Sequence, residues 1–286
     1  MIKRKFGWTN VDVPLIGQGT WMIESGIKIE SDLNNVIKCL QTGIDYGMTH
    51  IDTAEMYGNG KVEELVGQAI AGRREEIFLV SKVLPSNASY EGTIKSCKRS
   101  LSNLKTDYLD LYLLHWPSSY PINETMHAME KLVAEGLIKY IGVSNFNLKE
   151  LQMAEHALQK ERIACNQVLY NLGYRAVERN ILPYCIKQEI ALVGYSPFGH
   201  GIFPSVHSEN GRVLSNIAKQ HDKTPKQVAL NFLSTYSNIF AIPKTSHIER
   251  VKENCESVGW NLTEEEIREI NKSFPVSESD TYLEMI

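Results

Sequence analysis

Short apolar runs alternate with longer segments of helical period along most of the chain. Eight runs are rich in Val, Ile, Leu and Tyr, and they predict β-strands. They lie at residues 15–19, 50–53, 77–82, 109–115, 140–144, 164–169, 191–195 and 239–243. Strands that alternate with helices predict a parallel sheet with helical crossover connections.

The segments between these runs carry one apolar face each. Apolar residues recur at helical spacing at Val62, Leu65, Val66, Ala69 and Ile70, at Ile94, Cys97, Leu101 and Leu104, at Met126, Met129, Leu132 and Val133, and at Val228, Phe232 and Tyr236. Two segments have start signals, since Thr224 precedes Pro225 and Thr263 precedes three glutamates. An open doubly wound sheet would use the same alternation, but eight strands favour a closed (β/α)8 TIM barrel.

The chain shows no linker or second composition block, so residues 1–286 are predicted to form a single barrel domain. Residues 6–13, around Asn10, predict a hairpin over the N-terminal mouth of the barrel, with a disordered lead-in as the alternative. The tail at residues 275–286 is polar and irregular. We expect it over the opposite mouth.

Composition narrows the class of partner. The chain has 286 residues, 43 % hydrophobic and 22 % charged, with a formal net charge of -4. This charge gives no basic field for nucleic acid or an anionic membrane, so small molecules are the expected partners. No segment is long and apolar enough to span a bilayer, and the basic residues 1–5 precede no apolar stretch, so a cytoplasmic protein is expected. The five cysteines are scattered without a C-x-x-C pair, which favours reduced thiols.

Polar residues at the predicted strand ends are the main signal for chemistry. The run at 50–53 contains Asp52, the next ends in Lys82, the one after ends in His115, and Tyr57 follows Asp52 within one loop. Active sites of such barrels are built from the C-terminal ends of the strands. A buried Lys82 needs a counter-charge, and Asp52 is the nearest candidate, so we expect an Asp–Lys pair beside Tyr57.

That pair has a chemical use. An ammonium near a phenol favours the phenolate and lowers the pKa of Tyr57 toward the working pH, which makes the phenol a competent general acid. His115 can donate a hydrogen bond to a substrate oxygen as negative charge grows there. Each residue alone is more often structural, and His50, on the strand of Asp52, is expected to be a packing histidine with its hydrogen bonds satisfied.

A metal site is the alternative for the same strand ends. Asp52, Glu55 and His115 are ligand types, but the chain offers no second strand-end histidine and no H-x-H or H-x-x-x-H spacing. The pattern therefore disfavours a metal.

Reduction at this site would require a cofactor. The segment around Gly17 and Gly19 lacks the third glycine and the downstream acid of a G-x-G-x-x-G fingerprint, which disfavours a Rossmann site. The stretch at 242–250 instead offers Lys244, two hydroxyls, a predicted helix start and Arg250, a set that suits a phosphate. The alternative is an exposed, capped helix. Further strand ends carry Ser144, Asn145 and Gln167, which can hold an amide, and Tyr195, which can stack on a flat heterocycle.

The chain resembles the aldo-keto reductase family over nearly its whole length. Four segments are similar to the signatures of that family and occur in its order, at residues 52–59, 108–117, 136–146 and 242–245. The resemblance implies a Tyr57 proton donor tuned by Lys82 and Asp52, with His115 orienting the carbonyl. It also implies direct hydride transfer from C4 of NADPH.

The resemblance also assigns the binding residues. Those implied for NADP(H) are Gly19, Thr20, Trp21, Asp52, Ser144, Asn145, Gln167 and Tyr195 toward the nicotinamide end, Ser196, Phe198 and Gly199 near the pyrophosphate, and Lys244, Thr245, Ser246, Arg250, Glu253 and Asn254 around the adenosine and its 2′-phosphate. Those implied for the substrate are Trp21, Met56, Tyr57, His115 and Trp116, with Tyr120 as a further candidate. A monomer is the expected state.

Departures from the family pattern bear on specificity. Gln18 stands where an apolar residue is frequent, Thr245 replaces a frequent Ser, and Gly60 and Lys61 stand where an acid is common. The loop at 116–123 and the tail are short, so the resemblance implies an open pocket for small aldehydes, diketones or sugar-derived carbonyls rather than steroids. Two alternatives remain: an NADP-dependent alcohol or sugar dehydrogenase working in reverse, and a cofactor-binding regulatory or structural protein.

Overall fold

The structure is a computed structural model that describes residues 1–23, 25, 30–276 and 283–286. Its strands are β1 Lys3–Lys5, β2 Asp12–Pro14, β3 Gln18–Gly19, β4 His50–Asp52, β5 Phe78–Val83, β6 Leu109–Leu114, β7 Ile138–Ser144, β8 Ile163–Leu169, β9 Ala191–Tyr195 and β10 Ile239–Ile242. Its helices are α1 Glu30–Asp45, α2 Lys61–Ala69, α3 Tyr90–Leu104, α4 Ile122–Ala134, α5 Leu148–Ala157, α6 Ile181–Lys187, α7 Glu209–Gln220, α8 Pro225–Leu233, α9 Ile248–Cys255 and α10 Glu264–Ser273. None of the helices in this part of the chain is long and apolar enough to cross a membrane.

Strands β3 to β10 form one parallel sheet in chain order, as the alternating pattern predicts. The sheet closes where the chain just before β3 meets β10. A parallel bridge pairs Ile16 with Ala241, Gly17 N donates to Ala241 O at 2.8 Å, and Ala241 N donates to Leu15 O at 2.9 Å. The predicted (β/α)8 barrel is confirmed.

The alternation of side chains on β5 explains how the barrel presents its polar residues. Phe78 and Val80 point into the barrel interior, whereas Leu79 and Val83 pack against the surrounding helices. Lys82 therefore continues the inward row at the C-terminal end of the strand. Ser81, one residue earlier, faces the helices.

The predicted N-terminal hairpin is present. Strands β1 and β2 pair antiparallel, with Asn10 in the left-handed region at the turn. Phe6 is fully buried against the rings of Phe78 and Phe240, and Trp8 Nε1 donates to Ile163 O at 2.8 Å. The hairpin thus plugs the N-terminal mouth, and the alternative of a disordered lead-in is wrong.

His50 fills the layer above Phe6, but not as expected. Its ring packs edge-on against Phe6 and Phe78, yet both ring nitrogens are buried and neither has a hydrogen-bond partner in the described part of the chain. Burial lowers the pKa of His50 to about 3, and the charge of Lys82 adds to this effect. The expectation of satisfied hydrogen bonds is wrong, because apolar rings surround this layer.

Gln18, the departure from an apolar position, is accommodated between the sheet and α1. Its amide nitrogen donates to Leu40 O at 3.2 Å and Met48 O at 3.0 Å. Gly43 leaves the space, since a Cβ atom there would lie 2.1 Å from the side-chain oxygen of Gln18. Gln18 is thus a structural residue outside the barrel interior.

The tail reaches the C-terminal mouth. Residues 277–282 of the expected tail lie outside the described residues, but Leu283 packs against the helix-side core. Met285 and Ile286 line a cavity at the C-terminal ends of the strands. The described end of the tail therefore lies where it was expected.

Candidate active site

Four predicted residues meet at the C-terminal end of the barrel. Asp52 ends β4, Lys82 lies near the end of β5, His115 directly follows β6, and Tyr57 lies in the turn between β4 and α2. Lys82 Nζ donates to Asp52 Oδ1 at 2.5 Å and to the phenol oxygen of Tyr57 at 3.4 Å. The rings of Tyr57 and His115 meet edge to face, with centroids 5.8 Å apart.

Lys82 is a fully buried ammonium site. Its side chain is 0 % exposed and that of Asp52 is 2 % exposed, so water contributes little to solvating either charge. Burial lowers the pKa of Lys82, and the nearby carboxylate of Asp52 opposes that change. A third hydrogen bond runs to Thr53 O at 2.8 Å. The ion pair is therefore the condition under which Lys82 can remain charged here.

Asp52 is held on its other side by a residue with a second expected role. Gln167 Nε2 donates to Asp52 Oδ2 at 2.7 Å, so both carboxylate oxygens are engaged. Thr20 Oγ1 donates to the backbone oxygen of Asp52 at 2.8 Å. The sequence assigned Gln167 to the cofactor only; its support of Asp52 is a contact across the barrel that no local pattern reports.

The turn after Tyr57 uses left-handed backbone conformations to point the phenol inward. Gly58, Asn59 and Gly60 have φ values of 54°, 51° and 89°. Glycine adopts these values freely and asparagine tolerates them better than most residues. The side chain of Tyr57 is buried, in an apolar group with Ala54 and Val62. Only its hydroxyl end belongs to the polar site.

His115 is held as a neutral imidazole. Burial lowers its pKa well below the usual value, and the charge of Lys82 adds to the effect. Its Nδ1 atom is buried and has no hydrogen-bond partner among the residues that the structure describes. Asn145 Nδ2 donates to the backbone oxygen of His115 at 3.1 Å and so fixes the chain at this point.

The predicted amide-binding residues form a network beside these four. Asn145 has a left-handed φ of 61°, which turns its side chain toward the barrel mouth. Tyr195 donates to Asn145 Oδ1 at 2.9 Å, Asn145 Nδ2 donates to Ser144 Oγ at 3.2 Å, and Ser144 Oγ donates to Gln167 O at 2.9 Å. Burial raises the pKa of the Tyr195 phenol. Tyr195, Asn145, Ser144 and the backbone oxygen of Gln167 are thus joined in one chain of hydrogen bonds beside the four residues.

These residues line a cavity of about 330 Å³ at the barrel mouth. The predicted residues in its wall are Gly19, Thr20, Trp21, Asp52, Met56, Tyr57, His115, Trp116, Ser144, Asn145, Gln167, Tyr195, Ser196 and Lys244. Lys82 lies beneath it. Ile242, Met285 and Ile286 also line the cavity and were not predicted as site residues. Tyr120, the further substrate candidate, is 39 % exposed and is not among the residues of the described wall.

One contact bridges two loops at the mouth. The ring of Trp21, in the loop after β3, stacks on His200, in the loop after β9, with centroids 4.9 Å apart and an interplanar angle of 28°. The pair joins loops on either side of β10, which lies between these strands. Sequence reasoning missed His200, since a surface histidine in a loop carries no local signal.

The predicted phosphate stretch follows β10 and begins α9. Lys244 and Arg250 are exposed, and Thr245 Oγ1 accepts a hydrogen bond from His247 N at 3.1 Å. Glu253 accepts a hydrogen bond from Thr224 Oγ1 at 2.6 Å. Asn254 is buried, and its Nδ2 atom has no partner among the described residues.

The remaining predicted positions lie in the loop after β9. Ser196 and Gly199 have left-handed φ values of 49° and 71°, and Gly199 N donates to Ser196 O at 2.9 Å. Lys226 Nζ lies 5.4 Å from the ring centroid of Phe198. Phe198, Gly199, Thr245, Ser246, Arg250, Glu253 and Asn254 lie outside the described wall of the cavity. Within the described residues, no group of three or more His, Cys, Asp or Glu side chains is arranged to hold a metal ion.

Known proteins resemble this chain over nearly its full length. The model of the aldo/keto reductase family matches residues 15–274. The chain is 39 % identical over 277 residues to methylglyoxal reductase YeaE of Escherichia coli (strain K12), and the aligned region covers 97 % of this chain and 96 % of that protein. It is 34 % identical over 265 residues to glyoxal reductase of Bacillus subtilis (strain 168), with 91 % and 89 % covered. A crystal structure of an aldo-keto reductase from Klebsiella pneumoniae in complex with NADPH matches with a TM-score of 0.91 at 38 % identity, over 100 % of both chains.

Proposed function

The chain belongs to the aldo/keto reductase family and is an NADP(H)-dependent oxidoreductase, and we propose that it reduces small aldehydes and ketones, 1,2-dicarbonyls among them, with Tyr57 as the proton donor. The observation that carries the proposal is the position of Tyr57: it lines the cavity, and its phenol oxygen lies 3.4 Å from Nζ of the buried, carboxylate-paired Lys82. The dicarbonyl class is supported by the names of two relatives, a methylglyoxal reductase and a glyoxal reductase.

Tyr57 supplies the proton. When bound, NADPH supplies the hydride that the carbonyl carbon accepts. Tyr57 gives its phenolic proton to the carbonyl oxygen, which completes the alcohol and leaves a phenolate. Lys82 stabilises that phenolate as an adjacent ammonium, and Asp52 keeps Lys82 charged by pairing with it. A proton from solvent then restores the phenol.

His115 orients the carbonyl as a neutral donor. Its Nδ1 atom is buried without an acceptor in the described part of the chain, so a proton on that atom would be unpaired. The proton therefore belongs on Nε2, which can donate to the carbonyl oxygen. This donor stabilises the negative charge that grows on the oxygen as the hydride arrives.

The residues present fit the cofactor. Asn254 has a buried, unpartnered amide nitrogen among the described residues, and a ring nitrogen of adenine would satisfy it. Lys244 and Arg250 are exposed cations on the same segment and suit the 2′-phosphate. Ser144, Asn145 and Gln167 offer the donors and acceptors that a carboxamide needs, and Tyr195 offers a ring beside them.

Substitution of Tyr57 tests the proposal. NADPH oxidation is followed by absorbance with methylglyoxal, glyoxal, simple aldehydes and aldoses, using wild type and Tyr57→Phe. Loss of the proton donor should lower kcat by about 10²–10⁴-fold. NADPH binding, measured by tryptophan fluorescence quenching, should persist in the variant.

The two alternatives give different results in the same assay. A cofactor-binding regulatory protein would bind NADPH and oxidise it no faster than Tyr57→Phe with any carbonyl, which would refute the enzymatic proposal. A dehydrogenase would reduce NADP⁺ with an alcohol or sugar at a higher kcat/KM than it reduces any carbonyl of the panel. The apolar lining by Trp21, Met56 and Trp116 favours small carbonyls over hydroxyl-rich sugars.

A further inference from the structure

A buried carboxylate lies behind the strand that carries Lys82. Glu63 is on α2, and the residue is 0 % exposed. Its Oε1 atom accepts a hydrogen bond from Ser81 Oγ at 2.6 Å, and its Oε2 atom accepts one from Asn103 Nδ2 at 3.0 Å. Among the residues that the structure describes, none forms an ion pair with Glu63. A buried carboxylate served only by neutral donors is costly, which makes it a candidate for a role beyond packing.

The position of Glu63 joins the two segments that carry Tyr57 and Lys82. Helix α2 begins at Lys61, directly after the Tyr57 turn, so Glu63 lies in the first turn of that helix. Ser81 immediately precedes Lys82 on β5, with its side chain on the opposite face of the strand. The Glu63–Ser81 hydrogen bond therefore joins, on the outer face of the barrel, the helix that follows Tyr57 to the strand that carries Lys82.

The charge of Glu63 acts on the buried groups around it. It favours the charged form of Lys82, as Asp52 does more strongly, against the effect of burial. Burial raises the pKa of the Cys97 thiol to about 12, and Glu63 adds to that rise. Tyr112 lies in the same environment, and both it and Cys97 stay neutral, so neither offsets the carboxylate.

Resting on the proposed function, we propose that Glu63 is a positioning residue for the reduction. Its carboxylate, held behind the barrel wall by Ser81 and Asn103, is a second negative charge, besides Asp52, that keeps Lys82 as an ammonium and Tyr57 as a neutral phenol.

The sign of the effect does not depend on which of the two groups loses its proton. Loss of a proton from either Lys82 or Tyr57 makes the pair more negative by one unit, and a nearby carboxylate opposes both losses. The other ionisable groups that face the pair are Asp52 and His50 on β4, His115 after β6, Cys165 on β8 and Tyr195 on β9. Glu63 acts from outside the barrel and can be changed without touching them.

The test is Glu63→Gln, which removes the charge and keeps an oxygen for Ser81. Reduction requires a protonated Tyr57, so kcat falls on the alkaline side as the pair titrates. We expect this alkaline limb of the kcat profile to move to lower pH by about one to two units, the size expected for a charge roughly 6–12 Å away at an effective dielectric constant near 20. The matched control is Glu64→Gln, since the Glu64 side chain is 44 % exposed and pairs with Lys61. The alkaline limb of kcat in Glu64→Gln should move by less than about 0.2 pH unit, because an exposed charge is screened.

A second readout needs no turnover. The tyrosinate absorbance difference between wild type and Tyr57→Phe reports the titration of Tyr57. The same difference is then measured between Glu63→Gln and the double variant that carries Glu63→Gln and Tyr57→Phe. The apparent pKa should fall by the same amount. If this titration shifts but no carbonyl is reduced, the proposed function fails, whereas the effect of the Glu63 charge on the pair of Lys82 and Tyr57 stands.

A purely structural Glu63 gives another pattern. In that case Glu63→Gln would have a lower melting temperature, but the alkaline limb of kcat and the tyrosinate titration would both stay where they are in wild type. That outcome overturns the proposal. If Glu63→Gln does not fold, Asn103→Lys replaces it, because a lysine at this half-buried position neutralises the carboxylate without removing it. That variant must also move the titration to lower pH; an unchanged titration overturns the proposal as well.

Discussion

Two buried bases on the inner face of the barrel, Lys82 and His50, show how partners decide the charge of a residue. Lys82 is fully buried but lies 2.5 Å from a carboxylate oxygen of Asp52, which offsets the cost of keeping its proton. His50 lies among Phe6 and Phe78, with no acceptor for a ring proton in the described residues. One residue therefore serves as a cation and the other as a neutral filler.

The neutrality of His50 has a consequence for acid stability. Its pKa is about 3 in the folded protein and near 6.5 in the unfolded chain, so the unfolded state binds the proton first as the pH falls. The stabilising contribution is complete above about pH 6.5 and is lost as the pH falls toward 3. Relative to His50→Leu, we expect wild type to lose about 1.4 kcal/mol of unfolding free energy per pH unit in this window. Urea unfolding at a series of pH values measures it.

The control for that experiment is His207→Leu, because His207 is exposed. Its unfolding free energy should run parallel to that of wild type across the same pH range. Parallel curves for His50→Leu as well would mean that His50 binds its proton as readily in the folded protein as in the unfolded chain, so that its surroundings hold an acceptor or water.

At the scale of secondary structure, the start of α8 does more than cap a helix. Thr224 Oγ1 accepts from Gln227 N at 3.2 Å and Gln227 Oε1 accepts from Thr224 N at 2.9 Å, which completes the capping box. Thr224 Oγ1 also donates to Glu253 Oε1, and Gln227 Nε2 donates to Glu253 O at 2.9 Å. The cap of α8 thus holds α9, the helix that we propose binds the adenosine end of the cofactor.

Removal of this cap should affect stability and cofactor binding together. Thr224→Val deletes the hydroxyl and should lower the unfolding free energy by about 1–2 kcal/mol. NADPH should bind more weakly because Glu253 loses a partner, whereas kcat at saturating NADPH should be unchanged. Denaturant unfolding and fluorescence titration measure the two effects. Thr224→Ser retains the hydroxyl and should match wild type; an equal loss in both variants would assign the effect to the methyl group instead.

The elements were predictable to the extent that their signals are local. Alternation and period give all eight barrel strands, and the Thr224 and Thr263 caps appear as capping boxes. The boundaries of elements were less predictable. The predicted strand at 15–19 narrows to Gln18–Gly19, and the helical pattern that includes Tyr236 outlasts α8, which ends at Leu233.

The parts of the site that were missed are contacts between distant segments. The hydrogen bond from Gln167 to Asp52 crosses the barrel interior, and the stacking of Trp21 on His200 joins two loops. Glu63 stands among the apolar positions of α2 and looks like an ordinary helix residue in one dimension. Its role depends on the hydrogen bond that it accepts from Ser81 on β5, and the apolar period of α2 does not reveal that neighbour.

At the scale of the whole molecule, the proposed cofactor site draws on strand ends from most of the barrel. Residues of the cavity wall lie at or near the C-terminal ends of β3, β4, β6, β7, β8, β9 and β10. A ligand that contacts so many strand ends binds the folded barrel and not the unfolded chain. Binding must then stabilise the entire fold by linkage.

Thermal unfolding with each cofactor tests this linkage and the 2′-phosphate assignment together. At an NADPH concentration of about 100 times Kd, the added stability is about 2.7 kcal/mol, which should raise Tm by roughly 5 °C for a domain of this size. A Lys244→Ala, Arg250→Ala double variant should lose most of that rise with NADPH at the same concentration. The smaller rise with NADH should be retained, because NADH has no 2′-phosphate for these cations to bind. Equal losses for both cofactors would place the two cations on a part of the ligand that NADPH and NADH share.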